Sequence, residues 1–152
     1  MPALTQDILL TDTAKRVVKI AQAIAKENMH PAFGPPHVLK ALLHKDAALQ
    51  PLLKTLDKDI YYIEEWAEVR MEACKKSTSP ADPIAGDNMV EEIMNEADNI
   101  RRNFLKDSIE PLHVLAAVCT PGVGFSFEQL KTLPILCTKK STSMFSLPPN
   151  AL

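Results

Sequence analysis

A short motif that occurs twice is the feature of this sequence that most constrains its fold. The chain reads GPPHVLKALL at residues 34–43 and EPLHVLAAVC at residues 110–119. In both copies a proline lies just before an apolar stretch, where its fixed φ and missing N–H are tolerated in the first turn of a helix. The motif therefore predicts two short, largely buried helices that start in the same way.

The similarity between the two halves extends well beyond this motif. A shift of 76 positions (113 − 37) aligns the apolar residues of an early helical pattern with those of a later one. The aligned pairs are Val17 and Ile93, Val18 and Met94, Ala21 and Ala97, Ile24 and Ile100, and Phe33 and Ile109. One additional residue in a turn then aligns LKTL at 53–56 with LKTL at 130–133. Because the matches keep their order and fall on apolar positions, they indicate an internal structural repeat.

Helical signals dominate both halves, so the predicted fold class is all-α. Thr11 or Asp12 can cap a first helix that runs to Glu27, and apolar residues recur with helical spacing again after Asp87. We therefore expect two tandem repeats of four-helix type, packed through their apolar faces about a pseudo-two-fold axis. Such packing would leave a cleft between equivalent helix ends.

The proposed boundaries follow the composition along the chain. The stretch KKSTSPADPIAG, residues 75–86, is polar, contains two prolines and ends in glycine, as expected of a linker. Repeat one then covers about residues 11–74, and repeat two covers about residues 87–136. The segment after LPIL is rich in serine, threonine and proline, so residues 137–152 are predicted to be a flexible linker or tail.

Composition and charge argue against several classes of function. With 17 basic and 19 acidic residues the net charge is −2, so there is no basic excess to neutralise nucleic-acid phosphates. No apolar run approaches the roughly 20 residues needed to span a bilayer, and none resembles a signal peptide. The three cysteines form no CxxC pair, which favours a reducing, cytoplasmic compartment. Nucleic-acid and membrane partners are therefore not expected.

The sequence offers no set of residues for catalysis or cofactor binding. A phosphate-binding GxxxxGK[ST] motif is absent, and only four glycines are present. Prolines separate His30 from His37, while His37 and His44 would lie about 10 Å apart on one helix, so no metal site is expected. A Cys119–His113 pair lacks a third, orienting group. His37 and His113 are instead expected to be packed, neutral residues at helix starts.

The repeated segments resemble the N-terminal domain of Clp unfoldases, a tandem pair of four-helix motifs. The likeness is carried by GPPHVLKALL and EPLHVLAAVC, with TAKRVVKIAQAIA and NMVEEIMNEADNI as the paired first helices, and it covers about residues 4–135. The resemblance implies a Clp N-terminal-like domain over residues 1–136. Two features depart from the family pattern. Pro36 and Leu112 stand where many members place glutamate, and no good eighth helix follows LPIL.

The resemblance implies a non-catalytic recognition domain of a Clp-type, ATP-dependent protein unfoldase. Such a domain would engage protein substrate segments or an adaptor protein and deliver them to AAA+ ATPase modules, which would lie beyond Leu152 or on another chain. By resemblance, the partner-binding groove lies where the start of the first helix meets the helix starts of the second half. The corresponding residues are Thr11, Ala14, Met89, Pro111 and Leu112. Ordinary core packing is the alternative role of Met89 and Leu112.

Two alternatives to this function stay open. Within the family, one branch disassembles contracted type VI secretion sheaths by binding a helix of the sheath protein, and the divergent motifs favour that branch as the second choice. Other branches disaggregate proteins or feed a protease. A protein of a different class, a free-standing helical adaptor or structural module that never joins an ATPase, fits the same pattern.

Overall fold

The computed structural model describes residues 9–74, 76–77 and 84–133, and helices dominate these residues. The α-helices found among them are α1 (Asp12–Glu27), α2 (Pro35–Leu42), α3 (Gln50–Thr55), α4 (Ile60–Glu72), α5 (Asn88–Asn103), α6 (Pro111–Val118) and α7 (Phe127–Leu130). A 3-10 turn spans Lys45–Ala47, and the two-residue strands β1 (Ala32–Phe33) and β2 (Ala85–Gly86) form a parallel pair. The predicted all-α class is confirmed. No helix in this part of the chain is both long and apolar enough to span a membrane.

The first helix of each half begins with the same type of cap. Thr11 Oγ1 accepts a hydrogen bond from the backbone N–H of Ala14 at 3.1 Å, and an Asp87 carboxylate oxygen accepts one from the N–H of Val90 at 3.0 Å. Each bond satisfies one of the backbone donors that a helix start leaves unpaired. Both helices bury one side in the core, through Val17, Ala21 and Ala25 of α1 and Ile93, Met94 and Ala97 of α5.

The motif histidines cap the second helix of each half. The backbone N–H of Gly34 donates to Nδ1 of His37 at 2.8 Å, and that of Glu110 donates to Nδ1 of His113 at 2.9 Å. Burial lowers the pKa of both histidines below the usual value. Because each ring accepts a hydrogen bond at Nδ1, that nitrogen carries no proton, which agrees with the neutral state expected from the sequence.

The two halves follow the same plan at the same spacing. The bounds of α1 and α5, and those of α2 and α6, correspond residue for residue under the shift between the motif copies. Just after α1 and α5, Met29 and Leu105 both adopt a positive φ, of 60° and 58°. Val38 and Val114, at equivalent motif positions, are both 1% exposed. The predicted pair of tandem repeats is therefore confirmed.

Short backbone pairings connect the halves in a crossed arrangement. The segment before α1 pairs with the segment before α6, where Leu10 bridges Ile109, and β2, before α5, pairs with β1, before α2. The N–H of Thr11 donates to the carbonyl oxygen of Ile109, and the N–H of Asp87 donates to that of Phe33, both at 3.0 Å. Each half thus supplies backbone partners that the other half needs.

The centre of the molecule is formed by α2 and α6, which pack against each other while α1 and α5 flank them. Their fully buried side chains include Leu39, Leu42, Leu115 and Val118. α4 packs on α2 and also reaches the second half, because the Trp66 ring meets Phe125 edge to face, with ring centres 4.9 Å apart. Trp66 Nε1 donates to Thr132 Oγ1 at 2.9 Å. The core is therefore continuous across both repeats.

Part of the segment predicted to be a linker belongs to the packed structure. Ile84 is 2% exposed, and its carbonyl oxygen accepts a hydrogen bond from Gln22 Nε2 at 2.8 Å. β2 follows directly. The boundaries proposed near residues 74, 86 and 136 stay predictions. The predictions of a flexible tail and of a missing eighth helix fall on residues outside the described ones.

Candidate functional site

Four of the five predicted groove residues lie where the start of α1 meets the start of α6. We call this place the first junction and define it by Leu9, Thr11, Ala14, Pro111 and Leu112. The backbone bonds to Ile109 hold the two helix starts side by side. Ala14 and Pro111 are buried there, whereas Thr11 and Leu112 are half-buried. The first junction therefore offers partly accessible side chains on a rigid base.

Sequence reasoning missed Leu9, which lies at the edge of the first junction. Its carbonyl oxygen accepts a hydrogen bond from the N–H of Ile109 at 2.8 Å, so its backbone is held in place. Its side chain is 66% exposed. The available signal was an apolar residue two positions before the Thr11 cap, outside the helical stripe of α1. An exposed leucine on a fixed backbone is well placed to contact a partner.

The fifth predicted residue, Met89, lies at the equivalent place in the other half. There the start of α5 meets the start of α2, and we call this the second junction, defined by Gly34, Pro35, Asp87 and Met89. Met89 is 41% exposed. Full core packing, the alternative considered for Met89, therefore does not apply. Leu112 does pack against the core with part of its side chain.

The two junctions share a backbone plan but differ in chemistry. At the second junction, a Cβ placed on Gly34 would lie 2.7 Å from Asp87 Oδ2, so the absence of a side chain lets the Asp87 carboxylate approach closely. The equivalent position at the first junction holds Glu110. The first junction therefore combines the apolar side chains of Leu9 and Leu112 with a carboxylate on Glu110, the residue that directly precedes Pro111, and this composition suits an apolar segment that carries a basic residue.

His30 and His37 form a buried pair, although the prolines between them prevent the two from sharing one continuous helix. His30 Nδ1 lies 2.7 Å from His37 Nε2. Since His37 Nδ1 already accepts the bond from Gly34, its Nε2 carries the proton and donates to His30. The remaining nitrogen, His30 Nε2, is buried without a hydrogen-bond partner among the described residues. Burial, and after it the neighbouring His30, lowers the pKa of His37 to about 4.

This pair is organised for packing and capping. The mutual hydrogen bond occupies the two facing nitrogens, so neither offers a free lone pair toward a shared ion. Within residues 9–74, 76–77 and 84–133, no group of three or more His, Cys, Asp or Glu side chains is arranged to hold a metal ion. Sequence spacing could not reveal the contact between His30 and His37, because it depends on how the chain turns back between α1 and α2.

Cys119 is not prepared for nucleophilic chemistry. It is buried, and desolvation raises the pKa of its thiol to about 12. The thiol therefore stays protonated at neutral pH, whereas the thiolate is the reactive form. Nδ1 of His113 is already used to cap α6. The arrangement of Cys119 and His113 serves the fold.

Comparison with known proteins identifies the same fold. The Clp repeat (R) N-terminal domain family model matches residues 9–132. The Hsp104 N-terminal domain from Candida albicans is 20% identical, with a TM-score of 0.65 over 83% of this chain and 89% of that chain. The N-terminal domain of the ClpV1 ATPase from E. coli is 17% identical, with a TM-score of 0.70 over 95% of this chain and 86% of that chain. A ClpV N-domain in complex with a VipB peptide is 18% identical, with a TM-score of 0.63 over 87% of this chain and 79% of that chain.

The family match covers both repeats, because it extends over residues 9–132. At such low identities the solved structures establish the shared fold. The family model, in contrast, spans most of the chain and includes both copies of the motif, from the segment before α1 to the end of the second repeat's described part. This chain belongs to the Clp repeat N-terminal domain family.

Proposed function

We propose that this domain recognises protein partners for a Clp-type, ATP-dependent unfoldase and performs no chemistry itself. Its ligands would be substrate segments or an adaptor protein, and the AAA+ modules that act on them would belong to the rest of the same protein or to another chain. Family membership supports this role. We place its action in the cytoplasm, in line with the free thiols of Cys74 and Cys119.

The first junction is the observation that carries the proposal. Leu9 and Leu112 present apolar surface to solvent, on a backbone fixed by the bonds to Ile109. Thr11 uses its hydroxyl to cap α1, so this hydroxyl already accepts a hydrogen bond within the domain. A site of this kind gains affinity by burying apolar side chains of a partner, at about 25 cal/mol for each Å² of apolar surface removed from water.

The ligand best suited to this surface is an amphipathic helix or an extended apolar segment. Its apolar side chains would contact Leu9 and Leu112. A basic residue next to them would lie near the carboxylate of Glu110. Met89, at the second junction, would contribute only to a ligand long enough to reach both junctions.

A helix of a type VI secretion sheath protein is the more specific candidate ligand. Two observations favour it over a general substrate. Leu112 makes the first junction apolar at a position where many family members place glutamate, and a ClpV N-domain of the same fold has been captured with a VipB peptide. Family membership favours both of these roles over a free-standing adaptor that never joins an ATPase.

Titration of the isotope-labelled domain with a helical VipB-type sheath peptide, followed by NMR, tests the placement of the site. We expect the largest amide shifts at Thr11, Ala14 and Leu112. Leu9→Glu should weaken binding by about tenfold or more, because it places a charge on the apolar surface, and tenfold corresponds to about 1.4 kcal/mol. Leu105→Glu, at a leucine that is 91% exposed elsewhere, is the matched control and should bind like the wild type.

Three outcomes would count against parts of this proposal. Shifts confined to the surroundings of Trp66 would refute the placement at the first junction. An equal loss for Leu9→Glu and Leu105→Glu would show that the effect is not local. Binding of an unfolded model substrate but not of the sheath peptide would exclude the secretion branch and favour general substrate recognition.

A further inference from the structure

The outer face of α4 is unusual because it is apolar and acidic at once. Tyr61, Tyr62 and Val69 are 83%, 63% and 50% exposed, and the exposed carboxylates of Glu65 and Glu72 lie between them on the same side of the helix. The helix also buries its other side, through Ile63, Ala67 and Met71. The fold therefore uses one side of α4 and leaves a second apolar strip in solvent.

The outer face of α1 is basic over the same length. Its exposed residues include Lys15, Arg16, Lys19, Ala23 and Lys26. Lys15, Arg16 and Lys19 have no ion-pair partner within the part of the chain that the structure describes, and the same holds for Glu65 on α4. Both faces are exposed in one copy, so they do not meet within it.

The fold itself does not require a basic face on α1. The equivalent helix α5 has the same length and the same cap geometry, yet it carries Glu91, Glu92 and Asn95 at the positions of Lys15, Arg16 and Lys19. The basic strip is therefore specific to α1 and is not a feature of the repeat.

The two faces match in spacing as well as in charge. Aligned in parallel, with Lys15 opposite Tyr61, the facing pairs are Lys15 and Tyr61, Arg16 and Tyr62, Lys19 and Glu65, Ala23 and Val69, and Lys26 and Glu72. These are two cation–aromatic pairs, two opposite-charge pairs and one apolar pair. An antiparallel alignment would instead set Lys19 against Val69 and Ala23 against Glu65, and it would keep as complementary pairs only Arg16 with Glu72 and Lys26 with Tyr62.

We propose that α4 of one copy of this chain binds α1 of a second copy, with the two helices parallel. The contact uses different surfaces on the two partners, so it is head to tail, and repetition of such a contact forms a ring or an open chain of domains. The contact surface is separate from the first junction, which stays accessible to a peptide. Exposed charge pairs are weak and are screened by salt. Association should therefore be weak, and strongest at low ionic strength.

Sedimentation of the 152-residue chain over a range of protein concentrations tests this contact. At low ionic strength we expect the mean mass to rise with concentration, and in about 0.5 M salt, where screening is nearly complete, we expect it to stay that of a monomer. Lys19→Glu and Glu65→Lys should each weaken association by about tenfold or more. The double variant Lys19→Glu, Glu65→Lys should recover it, because the opposite charges are exchanged.

Glu92→Lys is the matched control for Glu65→Lys, since it reverses a carboxylate on α5 that is also exposed and should leave association unchanged. In a chain whose own three cysteines are replaced by alanine, a mixture of the Ala23→Cys and Val69→Cys variants should form a disulfide-linked dimer. A mixture of Ala23→Cys and Met89→Cys should not. A monomeric wild type at low salt would overturn the proposal. A double variant that fails to recover, or a loss with Glu92→Lys equal to that with Glu65→Lys, would overturn it as well.

Discussion

At the residue scale, no carboxylate among the described residues stabilises a positive charge on the buried pair of His30 and His37. Burial is the main cause that lowers the pKa of both histidines. The positive charge of Lys76 lowers the pKa of His30 further, and that of Lys40 lowers the pKa of His37 further. The neighbouring His30 also lowers the pKa of His37. The backbone N–H of Gly34 donates to Nδ1 of His37, a bond that a protonated ring could not accept. The folded state therefore keeps both rings neutral.

The domain should lose stability as the pH falls from about 6.5 toward 4. A histidine in the unfolded chain titrates near 6.5, whereas the pKa of folded His37 is about 4, so the unfolded state binds more protons between these values. This contribution to the free energy of unfolding is fully present above about pH 6.5 and decreases as the pH falls toward the folded-state value. Urea denaturation at a series of pH values measures it.

A side chain that caps α2 without binding a proton should reduce this dependence. In His37→Asn the amide oxygen can accept the bond from Gly34 but cannot be charged, so we expect a smaller loss of stability in acid. His44→Asn, which changes an exposed histidine, should retain the wild-type slope. A full slope in His37→Asn would assign the acid loss to other groups, such as His113.

Several residue roles were predictable because they depend on neighbours in sequence. Thr11 and Asp87 each precede an apolar helical pattern, which is the position where hydroxyl and carboxylate side chains cap a helix. The contact of His30 with His37 was not predictable, since it requires the path of residues 31–36. Leu9 was missed for a related reason. Its exposure is decided by the pairing of its backbone with Ile109, a residue far along the chain.

At the scale of helices, the start of α5 depends on the absence of a side chain at Gly34. Gly34 has φ −122° and ψ −169°, an extended conformation that alanine also adopts, so its backbone does not require glycine. The limited space at this position does favour glycine, because a Cβ there would lie 2.7 Å from the carboxylate of Asp87. The same carboxylate caps α5 through the N–H of Val90.

Gly34→Ala should therefore destabilise the domain through a helix in the other half. Displacement of Asp87 would cost the cap of α5, about 1 kcal/mol in the free energy of unfolding. Combination with Asp87→Ser should remove most of this cost, because serine is shorter and still caps. If Gly34→Ala lowers the free energy of unfolding as much in the Asp87→Ser background as in the wild type, the alanine side chain acts on a neighbour other than Asp87. Chemical denaturation of the wild type, the two single variants and the double variant provides the comparison.

Helices were more predictable than strands for a physical reason. α1, α2, α5 and α6 combine apolar periodicity with caps or prolines, which are local signals. β1 and β2 are two residues long and show no alternation, so nothing in their own sequence indicates pairing. The burial of Ile84 was not predicted for the same reason. A polar stretch that contains one isoleucine resembles a linker, and the burial of that isoleucine depends on residues elsewhere in the chain.

At the scale of the whole molecule, the halves share one core and exchange backbone hydrogen bonds. α2 and α6 pack on each other, and Trp66 of the first half packs on Phe125 of the second. We therefore expect the two repeats to unfold together. Fluorescence of Trp66, which is the single tryptophan, should report the same urea transition as far-UV circular dichroism, which reports all helices. Two separated transitions would show that the repeats are independent.

The repeat itself was the most predictable property of the whole molecule. Matching apolar positions required two similar helical units, and a shared core follows when each unit is too apolar on one side to fold alone. The order of partners was not encoded in this pattern. The crossed pairing of Leu10 with Ile109, and of β1 with β2, decides which helix starts lie side by side. It therefore also decides which of the candidate residues meet at the first junction.

That crossed pairing changes where this domain can safely be cut or fused. Leu9 and Leu10 precede α1 in sequence, yet their backbones pair with Ile109 in the segment just before α6, more than half the chain away. An expression boundary chosen at the first helical residue, Asp12, would remove the Thr11 cap of α1 and also the backbone partners of Ile109 in repeat two. Protein engineers should therefore treat the few residues ahead of α1 as part of the distant repeat and attach tags upstream of them.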